Sequence, residues 1–157
     1  EAIDSTNAKV DAALKAGGMA IGARVNIDTL PGELPLICNK EMNDLFVENA
    51  KDAFPGVKIT DAGHFSASTD MGDVSHLMPA IHPFIGGVDG LLHGPDFKVV
   101  DFKSAALMPG KAFAGVVIDL LSDDAKEARA ILKDFKPALT RDQYIAKMDG
   151  YFNGEEP

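Results

Sequence analysis

A single cysteine, Cys38, stands among the 157 residues. One thiol excludes an intramolecular disulfide and a thiolate-rich zinc site; the expectation is a small buried hydrophobe in a reducing, cytoplasmic compartment. No uninterrupted apolar run approaches the roughly eighteen residues that span a bilayer, so no membrane partner is expected. The opening Glu1-Ala2-Ile3-Asp4-Ser5-Thr6 lacks the basic-then-apolar layout of a signal peptide, and it lacks an initiator methionine. A processed chain or a piece of something longer is the expectation. Basic residues are in deficit. The 15 Lys and Arg against 24 Asp and Glu leave a net charge of -9, which argues against nucleic-acid binding, where a basic face is the electrostatic footprint. The acidic residues are scattered rather than blocked, a pattern that serves solubility.

What remains is ordinary globular material, 46% apolar and 25% charged, long enough for a domain with its own core. The stretch "DSTNAKVDAALKAGG" predicts an amphipathic helix capped at Ser5, Thr6 or Asn7 and ended by Gly17-Gly18. Met19, Ile21, Ala23, Val25 and Ile27 then alternate with Ala20, Gly22, Arg24 and Asn26, which predicts a half-buried strand. Pro31-Gly32 and Pro35 mark a connection between two structural units. Asn39 predicts the N-cap of a helix to about Ala53, with Met42, Leu45, Phe46 and Asn49 on one side and Pro55-Gly56 beyond its end. "VKIT" and "PAIHPFIGG" read as short strands. In "FKSAALMPGKAFAGVVIDLLS" the apolar residues almost encircle the helix, as in one packed between a sheet and other helices, and Pro109-Gly110 should kink or restart it. "DDAKEARAILKDF" forms the next helix, Thr140 to Gln143 fits a capping box for a third, and the tail "NGEEP" is expected to be solvated.

All four histidines, His64, His76, His82 and His93, fall between residues 61 and 97. His76 and His82 stand six apart with Pro79 between, which is not the spacing of two ligands on one helix, and each alone reads as a hydrogen-bonded packing residue. His64, beside Gly63, reads as a loop residue. His93 differs. Gly90 and Gly94 free the backbone on either side, Pro95 sets the exit, and Phe97 is placed to anchor the loop, an arrangement that aims a side chain as a ligand requires. On pattern alone His93 remains either a passive turn residue or a ligand. Ser68-Thr69-Asp70 forms a natural Asx or helix-cap turn, which is either an ordinary cap or a site whose amides bind an anion or a carboxylate.

Together, "STDMGDVSHLMPAIHPF" and "HGPDF" resemble the dinuclear-zinc amidohydrolases of the aminoacylase and carboxypeptidase family, in the branch of p-aminobenzoyl-glutamate hydrolase and aminoacylase-like dipeptidases. "ALKAGGMAIGARVNIDTLPGELPL" is similar to the end of that family's lid, so the likeness runs from about Ser5 to Ser122. The resemblance implies an α/β fold: part of a mixed-sheet catalytic domain with helices packed on the sheet (residues 37–157), preceded by the last helix and strand of an α+β lid or dimerisation domain (residues 1–36). It implies metal-assisted hydrolysis of the amide bond in N-acyl amino acids or dipeptide-like small molecules, with two divalent metals, commonly zinc, and a glutamate proton shuttle. His93 aligns with the last metal ligand. Ser68, Thr69, Asp70 and Gly72 align with the loop on the substrate side of the cleft. The other ligands and the glutamate base belong to a part of the family's chain that precedes Glu1. The expectation is therefore a C-terminal portion, inactive alone and holding zinc weakly or not at all, with a homo-oligomer left open. A non-enzymatic α/β association domain, using the "STD" turn or the strand at Met19 to Ile27, is the alternative. A mononuclear centre built from all four histidines is a third reading that nothing in their spacing supports.

Overall fold

The computed structural model describes residues 2–61, 63 and 68–154; His64 lies outside them. By compactness the chain divides into Glu1–Gly32 with Arg141–Pro157, and Glu33–Thr140.

In the first unit, helix α1 (Ala2–Ala20) runs straight through Gly17-Gly18, beyond the end expected for it. A glycine inside a helix costs about 1 kcal/mol relative to alanine but breaks no hydrogen bond, so it does not by itself stop the helix. The stop is Gly22. Its φ of +74° is the left-handed conformation of a helix-ending glycine. The Ala23 N–H reaches back to the Gly18 carbonyl at 2.9 Å and the Gly22 N–H to that of Met19 at 3.1 Å. This pair of bonds is the Schellman motif. The strand expected over Met19–Ile27 is accordingly absent: its first two residues finish the helix, and Met19 and Ile21 are 78% and 82% exposed. Pairing begins only at β1 (Asp28–Thr29), antiparallel to β4 (Asn153–Gly154) near the C-terminus, so the start of the tail expected to be solvated carries a backbone ladder. Helix α5 (Arg141–Asp149) starts directly after Thr140, where the capping-box pattern places it.

The core of the second unit is α2 (Lys40–Ala53) against α4 (Met108–Asp134). Asn39 caps α2 as its sequence predicts, its Oδ1 accepting the Met42 N–H at 2.9 Å. Small residues at the crossing, Ala50 on one helix and Ala112 on the other, are buried, and the Phe46 and Phe113 rings meet at 4.9 Å between centroids. Asn49 donates to Asp119 Oδ2 across the same contact at 2.6 Å.

A π-helical turn (Lys103–Leu107) precedes α4. Pro109 has no N–H and its ring would press on the carbonyl one turn back; the wider π turn gives it room, so the helix is continuous through Pro109-Gly110. Asp101 caps this turn, accepting from the Ser104 hydroxyl at 2.6 Å and from the Lys103 N–H at 3.0 Å. The Ser104 hydroxyl above all, with the Ser104 and Lys103 amides, holds the Asp101 carboxyl below its ordinary range. Further on, Ser122 turns extended, and Asp123, Asp124 and Ala125 take φ of +49°, +58° and +56°, dividing α4 where the sequence divides into two helical patterns.

"VKIT" and "PAIHPFIGG" form no strand. In the latter, Pro79 and Pro83 lack the donors a ladder needs, and the segment is instead pinned by one bond from the Asn39 N–H to the Ala80 carbonyl at 2.9 Å. Cys38 is exposed, not buried, because it lies on the extended approach to α2 rather than in the α2–α4 contact. Among the described residues, strands pair only into two-stranded antiparallel ladders. By length and composition alone, the helical run Lys103–Asp134 suffices to cross a membrane, so the lack of an uninterrupted apolar run does not exclude a span here.

Candidate functional site

The two candidate segments lie in the same unit, on different supports. The first is α3 (Asp70–Leu77), with Thr69 at its cap position. The Thr69 hydroxyl does not cap the helix; it donates to Asp70 Oδ1 at 3.0 Å and lies 3.5 Å from His82 Nδ1. Two amides of the first turn are already occupied. The Met71 N–H donates to Asp70 Oδ1 at 2.8 Å and the Gly72 N–H to the Thr69 carbonyl at 2.7 Å. With Asp70 and Asp73 both in this turn, the local field favours a cation or a hydrogen-bond donor over an anion.

The segment following Pro31-Gly32 is laced onto α3 by the same "GDVS" residues that carry the family likeness. The Leu34 N–H donates to Asp73 Oδ1 at 2.9 Å and the Ile37 N–H to Ser75 Oγ at 3.0 Å. Ser75 is buried and satisfied, its own hydroxyl donating to the Gly72 carbonyl at 2.6 Å. Pro35 forms an antiparallel bridge with Ser68. Gly72 is buried under this strap: a Cβ there would collide with the Leu34 carbonyl, so only glycine permits the approach. The strap holds the exposed end of the turn, Ser68 and Asp70, in place, while Gly72 acts from beneath it.

His76 Nδ1 sits 2.8 Å from the Gly72 carbonyl oxygen. A carbonyl only accepts, so Nδ1 carries a proton and donates it to this bond. His82 is exposed and stacks nearly parallel on Phe84, with 5.9 Å between ring centroids.

His93 stands on the second support, a hairpin of β2 (Val88–Asp89) and β3 (Lys98–Val99), with Val88 opposite Val99 and Asp89 opposite Lys98. Its loop opens at Gly90, with φ +90°, and tightens into a turn closed by the Gly94 N–H and the Leu91 carbonyl at 2.7 Å. His93 occupies the third position of that turn with φ +64° and is exposed. That conformation costs a non-glycine residue roughly 1–2 kcal/mol. Phe97, expected to anchor the loop, is itself exposed; backbone hydrogen bonds, including Phe97 N–H to the Gly94 carbonyl at 3.2 Å, fix the turn instead.

Among the described residues no three of His, Cys, Asp and Glu converge as a metal-binding group. One imidazole does not fit a catalytic zinc, which takes three protein ligands and an open position. Sequence reasoning missed Asp73 and Ser75 as a clasp and His82 as the neighbour of Thr69. The first two were visible only as members of a motif. His82 carries no local signal, because a proline-flanked extended segment brings it to Thr69.

No family model matches the chain, and no solved structure matches it. It is 30% identical over 145 residues to the Xaa-Arg dipeptidase of Mus musculus, an alignment covering 87% of this chain and 33% of that protein. The chain spans about a third of the length of the curated relative it matches. Over that third, it is homologous to a dipeptidase.

Proposed function

We propose that this chain is part of a metal-dependent amidohydrolase or dipeptidase acting on the amide bond of dipeptide-like or N-acyl amino-acid small molecules in the cytoplasm. The observation that carries the reading is His93. Its exposed imidazole is held at the tip of a hydrogen-bonded turn, in a backbone conformation that glycine would adopt at lower cost, in a chain homologous to a dipeptidase. His93 contributes one ligand of a zinc centre. Ser68, Thr69 and Asp70 face the substrate, and Gly72 lets the strap settle beneath them. Divalent metals held in the complete enzyme, with His93 as one ligand, would supply polarisation of the amide carbonyl and activation of water. The remaining ligands and the proton shuttle come from outside these residues, so the chain alone is inactive. In the complete, metal-loaded hydrolase, His93→Ala should lose metal at one of the two sites, read by elemental analysis; equal metal content in variant and wild type overturns the assignment. The alternative of a self-standing association domain loses one of its two supports, since Met19–Ile27 offers no strand edge.

A further inference from the structure

Three restraints converge on His82, although its imidazole is exposed. The backbone leading to it is anchored. Ala80 and Ile81 are buried, at 4% and 7% exposure, and the Asn39 N–H holds the Ala80 carbonyl at 2.9 Å. The ring lies on that of Phe84, with 5.9 Å between centroids and 16° between planes, and Pro83 fixes the backbone angle between the two. Its Nδ1 stands 3.5 Å from the Thr69 hydroxyl oxygen, thirteen positions back along the chain.

Proton counting sets the direction of that last contact. The Thr69 hydroxyl has one proton and gives it to Asp70 Oδ1 at 3.0 Å. Toward His82 its oxygen can only accept, so Nδ1 carries a proton and is the donor. The donors therefore run from His82 to Thr69 to Asp70. At 3.5 Å the first link is long, as such contacts are before a substrate closes the site. On Asp70, the Thr69 hydroxyl and the Met71 N–H both bond Oδ1, and neither takes Oδ2. The carboxylate is held at one oxygen and offered at the other. A hydrogen bond between exposed neutral groups adds little to folding stability, so restraint of this ring serves position rather than stability.

We infer that His82 is a positioning residue of the proposed hydrolase: through Thr69 it fixes where the Asp70 carboxylate stands against the substrate. The role rests on the hydrolase reading above and brings to the substrate-facing turn a residue from a separate segment. In it His82 touches neither metal nor substrate.

The test compares His82→Ala, His82→Asn, His82→Gln and Thr69→Val in the complete, metal-loaded hydrolase, with alanyl-arginine as the probe dipeptide. Asparagine carries its amide nitrogen at the position of Nδ1, glutamine at that of Nε2. His82→Ala should raise KM at least about fivefold while kcat changes less than about twofold, the mark of lost binding rather than lost chemistry. His82→Asn should recover most of that loss, and His82→Gln should not. Thr69→Val should raise KM at least as much, and adding His82→Ala to it should change nothing further, because both cut one link. Circular dichroism of the His82 variants should match wild type, since the ring is exposed. An unchanged KM in His82→Ala overturns the inference. Recovery by glutamine instead of asparagine, a further loss on top of Thr69→Val, or a fall in kcat alone overturns it as well, because the imidazole would then act other than through Thr69. So does loss of bound metal in His82→Ala, by elemental analysis, which would make the ring a ligand. A wild-type hydrolase that cleaves no dipeptide or N-acyl amino acid removes the hydrolase reading and this role together. A wild type and a His82→Ala that cleave alike remove only this role.

Discussion

At the scale of single residues, Ser75 and His93 show two kinds of polar side chain that look alike in a sequence. Ser75 is buried with both of its hydrogen-bonding roles filled, accepting from Ile37 and donating to Gly72. Its removal leaves a strap amide without a partner, so Ser75→Ala should cost about 1–3 kcal/mol in urea unfolding. A loss under about 0.5 kcal/mol would mean the strap finds water or another acceptor. His93 is the opposite case. Nothing in its fold requires an imidazole, and its backbone conformation suits glycine. His93→Gly should therefore raise stability by roughly 0.5–1 kcal/mol in the same measurement. A loss would show that the ring makes a stabilising contact, and the argument for a retained functional group would weaken. The loop around His93 was legible because Gly90, Gly94 and Pro95 are punctuation that acts locally. The role of Ser75 was not, because its partner lies thirty-eight positions away along the chain.

At the scale of elements, what could be read followed how local the cause was. The Asn39 cap and the helix it starts are specified within four residues, and they form as expected. The strands expected at Met19–Ile27 and "PAIHPFIGG" do not. A period of two is a statement about a sheet that must exist elsewhere, and Gly22 ends α1 before any pairing can start. Two prolines remove donors from the second segment. In α4 the division after Ser122 was visible as a change of pattern, but the left-handed residues were not. Ala125, with no polar group to favour φ of +56°, offers a test with a definite sign. Ala125→Gly should raise the Tm, because glycine relieves a left-handed position by roughly 0.5–1 kcal/mol. A lowered Tm would show that residue 125 is helical in solution, where glycine costs about 1 kcal/mol.

At the scale of the whole molecule, the chain has a well-made α2–α4 contact, a clasped turn at Ser68–Asp70 and a presented histidine, but no completed site among the described residues. The chain is homologous to a third of a dipeptidase, and Val117, Ile118 and Leu121 of α4 stay exposed. That helix was expected to lie between a sheet and other helices; among the described residues α2 is the helix that packs most extensively on it. The central claim is that His93 is one ligand of a metal centre whose other ligands lie elsewhere. The most direct measurement is the zinc content of the purified 157-residue chain, by elemental analysis after extensive dialysis, with intact mass recorded on the same sample. The account predicts less than about a tenth of a zinc per chain, since a lone imidazole does not retain the ion. One tightly held zinc per chain would contradict it, because the chain's own side chains would then complete a site around the metal.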